Sequence, residues 1–186
     1  MEPYIGQYFK ITVIGDGAVG KTSIIEYLLG REFHSTYLLT IGANISTYPY
    51  TSSSGHLFRY QFWDLAGQRR FDLVRGPFYR GSRACIMVFD VTRPLSMENL
   101  KFWREELHIN AGSDVPFIVL GNKCDLPEVY NKELLQEFLD NNPNIPFEIP
   151  YIPTSARMGT NVHEAIEILS QTILKIRMKR NQLNIE

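Results

Sequence analysis

Residues 15–22 read GDGAVGKT: Gly15, four residues, then Gly20, Lys21 and Thr22. This G-x-x-x-x-G-K-[ST] spacing constrains the chain more than any other stretch. Glycines let the backbone curl into a concavity whose N–H groups point inward, a shape that binds anions. Asp16, Gly17, Ala18, Val19 and Gly20 form the curl, with Ser23 just beyond it. Lys21 would reach β- and γ-phosphate oxygens, and the Thr22 hydroxyl would take one place around Mg²⁺. The flanks agree. Tyr8 to Ile14 is an apolar, β-branched run, and Ile24, Ile25, Leu28 and Leu29 recur at helical spacing. Strand, loop and helix aim a positive helix end at the same phosphates. The stretch points to a nucleoside triphosphate. A glycine-rich turn without a ligand is the plainer alternative, and a chance match is about a one-in-a-hundred event.

The 186-residue length suits one domain, 1–186, with its core over about residues 8–178. Hydrophobic content of 44% with 21% charged residues describes a soluble globular chain, not a disordered one. A net charge of −1 gives no pull toward nucleic acid or an anionic membrane. Cys85 lies in an apolar run and Cys124 in a motif described below, so both read as reduced thiols in a cytoplasmic setting. No apolar run approaches the ~18 residues of a membrane span, and the N-terminus lacks the regions of a signal peptide. Residue 2 is Glu, which excludes N-myristoylation, and the final NQLNIE offers no Cys for prenylation, so no lipid anchor is expected.

Residues 31–42 have no clean period and read as a loop. Ala43 to Tyr50 alternates loosely, SSSG at 52–55 is a turn, and Leu57 to Trp63 sets Phe58, Tyr60 and Phe62 against Arg59 and Gln61. Strands so closely linked are antiparallel neighbours, and Pro49 puts the first at an edge. Residues 65–82 read as a second irregular stretch, rich in Gly and Arg. Ala84–Phe89 and Phe117–Leu120 are the continuous apolar runs of strands buried on both faces. Pro94 and Ser96 open a helix striped by Leu100, Trp103 and Leu107. A short helix at 131–140, a last strand near Glu148–Ile152 and a closing helix through Val162, Ile166, Leu169, Ile173 and Ile176 complete the order. The alternation predicts an α/β fold with a six-stranded, mostly parallel sheet, one antiparallel edge strand and about five helices. Ligands of such sheets sit at the carboxyl ends of the strands, so the reactive residues should follow strands.

They do. Asp64 ends the third strand in WDLAGQ, well placed to hold a Mg²⁺-bound water. Gly67 would bring its N–H against a γ-phosphate, and Gln68 would orient an attacking water. An Asp there can also simply cap a loop; the phosphate loop upstream favours the metal role. Asn122, Lys123 and Asp125 of NKCD follow the next buried strand. A carboxylate at Asp125 accepts from the ring N–H and exocyclic amine of guanine, a pair of donors adenine lacks on that edge, so selectivity should be large. Lys123 would lie along the base, and Asn122 would brace the phosphate loop. Ser155, Ala156 and Arg157 follow the last strand, with the Ala156 N–H in reach of the guanine oxygen.

GDGAVGKT, the lone Thr40, WDLAGQ, NKCD and SAR together resemble the small GTPases of the Ras superfamily in order and spacing. TIGANI at 40–45, FYRGS at 78–82 and the overall length are similar to the Rab branch. The resemblance covers about residues 8–178 and implies a three-layer P-loop GTPase (Ras-like) domain that binds GTP or GDP with Mg²⁺ and hydrolyses GTP slowly. It implies that Thr40 joins Thr22 and Asp64 at the Mg²⁺, and that Phe33 packs on guanine while Tyr37 closes over the phosphates. Gln68, with Lys21 and Thr40, would be catalytic, and Gly17 leaves Gln68 room. Hydrolysis would release residues 31–42 and 65–80, which is the switch. Ile45, Trp63 and Phe78 match an apolar platform for effector proteins, although Trp63 and Phe78 also suit a core, and Phe33 and Tyr37 can merely pin a loop. An exchange factor and a GTPase-activating protein are implied partners. The resemblance fits a monomer in the cytoplasm, with peripheral membrane contact left open and Rab-like vesicle trafficking as the setting.

Departures from that pattern are local. Arg69 stands where the family usually has Glu, and with Arg70 it makes a doubly positive pair that puts a familiar exchange mechanism in doubt and offers a cis-acting cation for hydrolysis. Ile45 replaces an aromatic, and Arg157 a usual Lys. Lys175, Arg177, Lys179 and Arg180 complement a helix C-terminus or, alternatively, face a membrane surface. His34, His56, His108 and His163 read as surface or loop residues. Three rival functions remain: an ATP-using phosphotransferase, opposed by NKCD; a scaffold that holds GTP with negligible hydrolysis, opposed by Gly17, Thr40 and Gln68; and a nucleic-acid-acting GTPase, opposed by the balanced charge.

Overall fold

A computed structural model describes residues 8–31, 40, 42–68, 71–141 and 148–183. In chain order the strands are β1 (Tyr8–Ile14), β2 (Ala43–Thr51), β3 (Leu57–Leu65), β4 (Ala84–Asp90), β5 (Phe117–Asn122) and β6 (Tyr151–Thr154). The helices are α1 (Lys21–Leu28), α2 (Asp72–Tyr79), α3 (Pro94–Glu98), α4 (Leu100–Ala111), α5 (Lys132–Asp140) and α6 (Val162–Leu183). The strands form one sheet in the order β2-β3-β1-β4-β5-β6. Only β2 runs antiparallel to its neighbour, and it lies at the edge, with Pro49 opposite Arg59. The β1–β3 pairing places Val13 beside Asp64, and β4–β5 places Asp90 beside Asn122. Phosphate-loop and motif residues therefore emerge from one end of the sheet.

Alternation along the central strands makes three layers. Ile86 and Val88 of β4 face one side, with Phe9, Ile11 and Val13 of β1, and meet Ile24, Ile25 and Leu28 of α1 and Ala165, Ile166 and Leu169 of α6. Cys85, Met87 and Phe89 face the other side and meet Tyr79 of α2, Leu100, Trp103 and Leu107 of α4, and Leu135 of α5. These cores account for the continuous apolar runs in β4 and β5, since each residue is buried on one face or the other. Among the described residues no helix is long and apolar enough to cross a membrane.

Three expectations shift. The stretch 65–82 is not wholly irregular: β3 continues through Leu65, and Asp72–Tyr79 is helical despite Pro77 within it. Arg75 and Tyr79, four residues apart, are both buried against the neighbouring layer, so tertiary packing decides a helix that no apolar period announces. The helix opened by Pro94 is interrupted at Asn99, where ψ relaxes to −9° and a second helix starts. The last strand lies at Tyr151–Thr154, a few residues later than the proline-rich sequence suggests.

The β2–β3 hairpin is tied to α6 at its far end. Tyr50 Oη donates to Glu167 Oε2 at 2.6 Å, and the Ser53 N–H and hydroxyl donate to the same carboxylate. The Ser53 hydroxyl and then the Tyr50 hydroxyl hold Glu167 down from 4.5 to about 2. A depressed acid contributes stability above its unfolded pKa and loses it as pH falls toward the folded one. The pair is well solvated, so the contribution is small. Glu167→Gln should lower Tm by about 1–3 °C at pH 7. The gap to wild type should close as pH falls below 4.5, as followed by scanning fluorimetry from pH 7 to 3.

Candidate functional site: a phosphate loop beside a base pocket

The loop between β1 and α1 is shaped by what it touches. Gly15 has φ +138° and Gly20 φ +101°, backbone that L side chains rarely adopt. A Cβ on Gly15 would fall 2.0 Å from the Val88 carbonyl oxygen, and one on Gly20 2.1 Å from Asn122 Nδ2. Both glycines are demanded by space as well as by conformation. Lys21 folds back over the loop and donates to the Gly15 and Asp16 carbonyls, each at 2.7 Å. It is only 6% exposed, and burial pulls its pKa down to about 8 against the attraction of Asp64 and Asp16.

Thr22, Thr40 and Asp64 converge. Thr22 Oγ1 donates to Asp64 Oδ2 at 2.5 Å, Thr40 Oγ1 to the same oxygen at 3.5 Å, and the two hydroxyls lie 3.2 Å apart. Burial pushes the Asp64 carboxyl upward, although both hydroxyls and Lys21 oppose this. Its other oxygen, Oδ1, is buried without a hydrogen-bond partner. Two hydroxyls and a carboxylate with one oxygen left unpartnered make a set of hard oxygen donors that fits a divalent cation such as Mg²⁺, which takes one or two carboxylates plus substrate phosphates. The next turn closes against the loop: a Cβ on Gly67 would sit 2.3 Å from the Gly15 carbonyl oxygen. Gln68 is half-buried beside it.

The base side is organised by Asn122, the last residue of β5. Its Nδ2 donates to the Val19 carbonyl at 2.8 Å, bracing the phosphate loop. Its Oδ1 accepts from the Ala156 N–H at 3.0 Å and from Thr154 Oγ1 at 3.5 Å. The Ala156 N–H, expected from sequence to reach a base, thus donates to Asn122 in this structure. Ser155 Oγ donates to Asp125 Oδ1 at 2.6 Å and orients an otherwise exposed carboxylate. Lys123, at φ +70°, reaches the buried Asp90 carboxylate at 2.5 Å, and Arg157 is exposed beyond it.

Several residues here carry no signal in sequence. Asp90 binds Lys123, accepts from the Thr92 N–H and hydroxyl, and pairs with Arg93 at 3.1 Å. Burial pushes its pKa up, but these donors outweigh it and the net shift is downward. Arg93 also donates to the Gly17 carbonyl at 2.8 Å. Asp16 turns its carboxylate away from the loop, accepting from Asn99 Nδ2 and Trp103 Nε1, each at 2.8 Å. A D-x-T spacing after a buried strand is the one local hint, for Asp90; the others meet only through the fold.

The proposed platform is part surface, part core. Ile45 is 48% exposed and lies opposite Trp63 in the hairpin. The half-buried Trp63 and Phe78 rings are 6.1 Å apart and pack on the α2–α4 core, with Lys10 Nζ 3.7 Å over Trp63. His108 is a small correction: it sits part-buried on α4, with Nε2 buried and without a hydrogen-bond partner among the described residues. Phe33, His34, Tyr37, Arg69 and Arg70 lie outside the described residues.

A family model described as "Ras family" matches residues 10–175. The Ras-related protein RABG3f of Arabidopsis thaliana is 37% identical over 174 residues, covering 89% of this chain and 82% of that protein. The Ras-related protein Rab7 of Drosophila melanogaster is 36% identical over 181 residues, covering 94% and 84%. This chain belongs to the Ras family. Within it the similarity is to the Rab branch, and the chain is a small GTPase that binds guanine nucleotide.

For this Ras-family chain, Asn122 is the residue on which the two halves of the site depend. Removing its amide orphans the Val19 carbonyl and the Ala156 N–H, both inside the structure. Asn122→Ala should cost about 3 kcal/mol, or a Tm lower by roughly 6–12 °C. Release of a fluorescent GDP analogue should accelerate in parallel, read by stopped flow.

Proposed function

We propose that the chain is a guanine-nucleotide switch that binds GTP and GDP with Mg²⁺, hydrolyses GTP slowly and works in Rab7-like membrane trafficking. The observation that carries this is the convergence of Thr22, Thr40 and Asp64 next to the buried Lys21. Thr40 comes from the segment between α1 and β2, yet it meets the Mg²⁺ residues of the phosphate loop and β3. That is the contact through which a γ-phosphate would be sensed.

Lys21 supplies a charge to the β- and γ-phosphate oxygens, and the loop amides of residues 16–23 surround them. When bound, Mg²⁺ neutralises charge developing on the phosphate oxygens. Asp64, Thr22 and Thr40 would hold it. Gln68 aligns a water in line with the γ-phosphorus, and Gly67 donates its N–H to the γ-phosphate. Hydrolysis by this route needs no covalent intermediate and runs at the Ras scale, about 10⁻⁴ s⁻¹ without an activator. Asp125, oriented by Ser155, selects guanine, and Lys123 lies along the base; Phe33 and Tyr37, outside the described residues, are the candidates the family resemblance offers to pack on the base and close over the phosphates.

The chain acts as a monomer. The Ile45, Trp63 and Phe78 surface receives effectors, and an exchange factor and an activating protein set the nucleotide state. Trp63, half-buried opposite the exposed Ile45, and Phe78, half-buried next to Trp63, support the platform as well as the core.

Two variants test the assignment. Asp125→Asn replaces an acceptor by a side chain that also donates, so preference should move from guanosine toward xanthosine diphosphate by about 100-fold or more. Competition against a labelled nucleotide reads this, and unchanged preference would remove the base-pocket assignment. Gln68→Leu should slow single-turnover hydrolysis about tenfold, with GDP affinity within about twofold of wild type. Hydrolysis undetectable over many hours in the wild-type protein would favour the GTP-holding scaffold instead.

A further inference from the structure

Arg75 has no place in the nucleotide site, yet it is one of the most thoroughly bound side chains near it. It is 2% exposed. Nε donates to Glu106 Oε1 at 2.8 Å and Nη2 to Glu106 Oε2 at 2.7 Å, a two-pronged ion pair with α4. Nη1 donates to the Ala66 carbonyl at 3.2 Å and the Gln68 carbonyl at 3.1 Å. The guanidinium carbon lies 4.5 Å from the Trp103 ring centroid. A buried guanidinium is tolerated only when its donors are satisfied and its charge is paired, and here the planar fork fixes all of these partners in one orientation.

The two carbonyls it holds flank Gly67. That glycine sits where a Cβ would collide with the Gly15 carbonyl, so the turn is pressed against the phosphate loop on one side and gripped by Arg75 on the other. The Gln68 carbonyl also accepts from the Phe71 N–H at 3.0 Å, which starts α2. On α4, the same Trp103 that stacks on Arg75 donates to Asp16 of the phosphate loop, and Asn99 donates to its other oxygen. One helix therefore measures the distance between the phosphate loop and the turn that carries Gln68. None of these contacts uses a nucleotide.

We infer that Arg75 is a positioning residue for hydrolysis: it docks the Ala66–Gln68 turn against α4 in both nucleotide states, so that Gln68 starts near its working position. The inference rests on the assignment of Gln68 as the water-orienting residue. Its physical content is that ordering this turn is supplied by the fold, not by the γ-phosphate. A switch whose catalytic turn is already ordered loses less entropy on reaching the transition state. The release that the family resemblance implies for residues 65–80 would then begin beyond Gln68, and the segment bearing Thr40 would carry the rest of the nucleotide-dependent change.

The test uses the full chain loaded with GDP or with a non-hydrolysable GTP analogue. Hydrogen exchange at the Ala66, Gly67 and Gln68 amides should differ by less than about threefold between the two states in wild type. In Arg75→Gln, protection of these amides should fall about tenfold or more in the GDP form and stay near wild type with the analogue. Single-turnover hydrolysis should slow about tenfold while GTP affinity stays within about twofold, a split that loss of general stability does not produce. Glu106→Gln, which leaves both carbonyl bonds available, should show the same pattern at smaller amplitude. Should Arg75→Gln fail to fold, Arg75→Met with Glu106→Met removes the buried charges together and tests the same amides. Unchanged exchange in the GDP form of a folded variant, or equal loss in both states with unchanged hydrolysis, overturns the inference. Gln68→Leu at wild-type rate would instead remove the Gln68 assignment, and the exchange pattern would still decide the role of Arg75.

Discussion

The ammonium of Lys21 is buried, and its two short contacts are to neutral carbonyls of its own loop. A charge so placed is poorly compensated, and its lowered pKa reports the cost. Much of the surrounding structure follows from keeping it there. The loop must curl tightly enough to offer the Gly15 and Asp16 oxygens, which excludes a side chain at Gly15 because Val88 of β4 fills the space. Asn122 must sit against Gly20 and hold the Val19 carbonyl, which ties β5 to the loop. The loop therefore depends on three adjacent strands at once, β1, β4 and β5, and a parallel sheet is what brings their carboxyl ends together.

Two carboxylates, Asp64 and Asp16, attract this cation and a third, Asp90, is linked to the loop through Arg93; each is managed differently. Asp16 is turned toward α4 and satisfied by two neutral donors, Asn99 and Trp103. Asp90 is satisfied by cations, Lys123 and Arg93, together with Thr92. Asp64 has only hydroxyl donors and one orphan oxygen, and burial raises its pKa where the donors of Asp90 lower that one. The acid left least satisfied is the one facing the loop. Negative charge is thus removed from the phosphate side everywhere except where a divalent cation would offset it.

How far the sequence discloses this depends on the range of each contact. The phosphate loop, WDLAGQ, NKCD and SAR are legible because local backbone chemistry fixes their spacing, and the strands before them because continuous apolar runs need two covered faces. The helix at Asp72–Tyr79 is not legible, since its stability comes from Arg75 and Tyr79 packing on another layer while Gly76 and Pro77 argue locally against it. Arg93 and Asn99 are equally silent, and Asp90 has only its D-x-T spacing. Asp16 and Trp103 are separated by 87 positions in the chain, and no periodicity links them. Trp103 was readable as one rung of an apolar stripe, which it is; its indole N–H has a second use that the stripe hides.

The division between fixed and adjustable parts follows from the same contacts. β5, β6 and the turns that follow them hold the Asn122 side of the site through Asn122, Thr154 and Ser155, with bonds that lie wholly inside the described fold. β2 has one strand neighbour, β3, and the hairpin's far end is pinned to α6 through Tyr50, Ser53 and Glu167. Its near end stays in the ladder, with Ala43 opposite Leu65, and just beyond it the Ala66 N–H donates to the Gly42 carbonyl and Thr40 makes its hydroxyl contacts. Thr40, which precedes that ladder, is joined to the site by its hydroxyl contacts with Thr22 and Asp64, and these are the described bonds that would break if it left. Gly67 and Gln68 stand on a different footing, gripped by a buried guanidinium through the Ala66 and Gln68 carbonyls. Under the proposed function, two segments that would meet at the same ligand thus differ in the contacts the fold itself gives them.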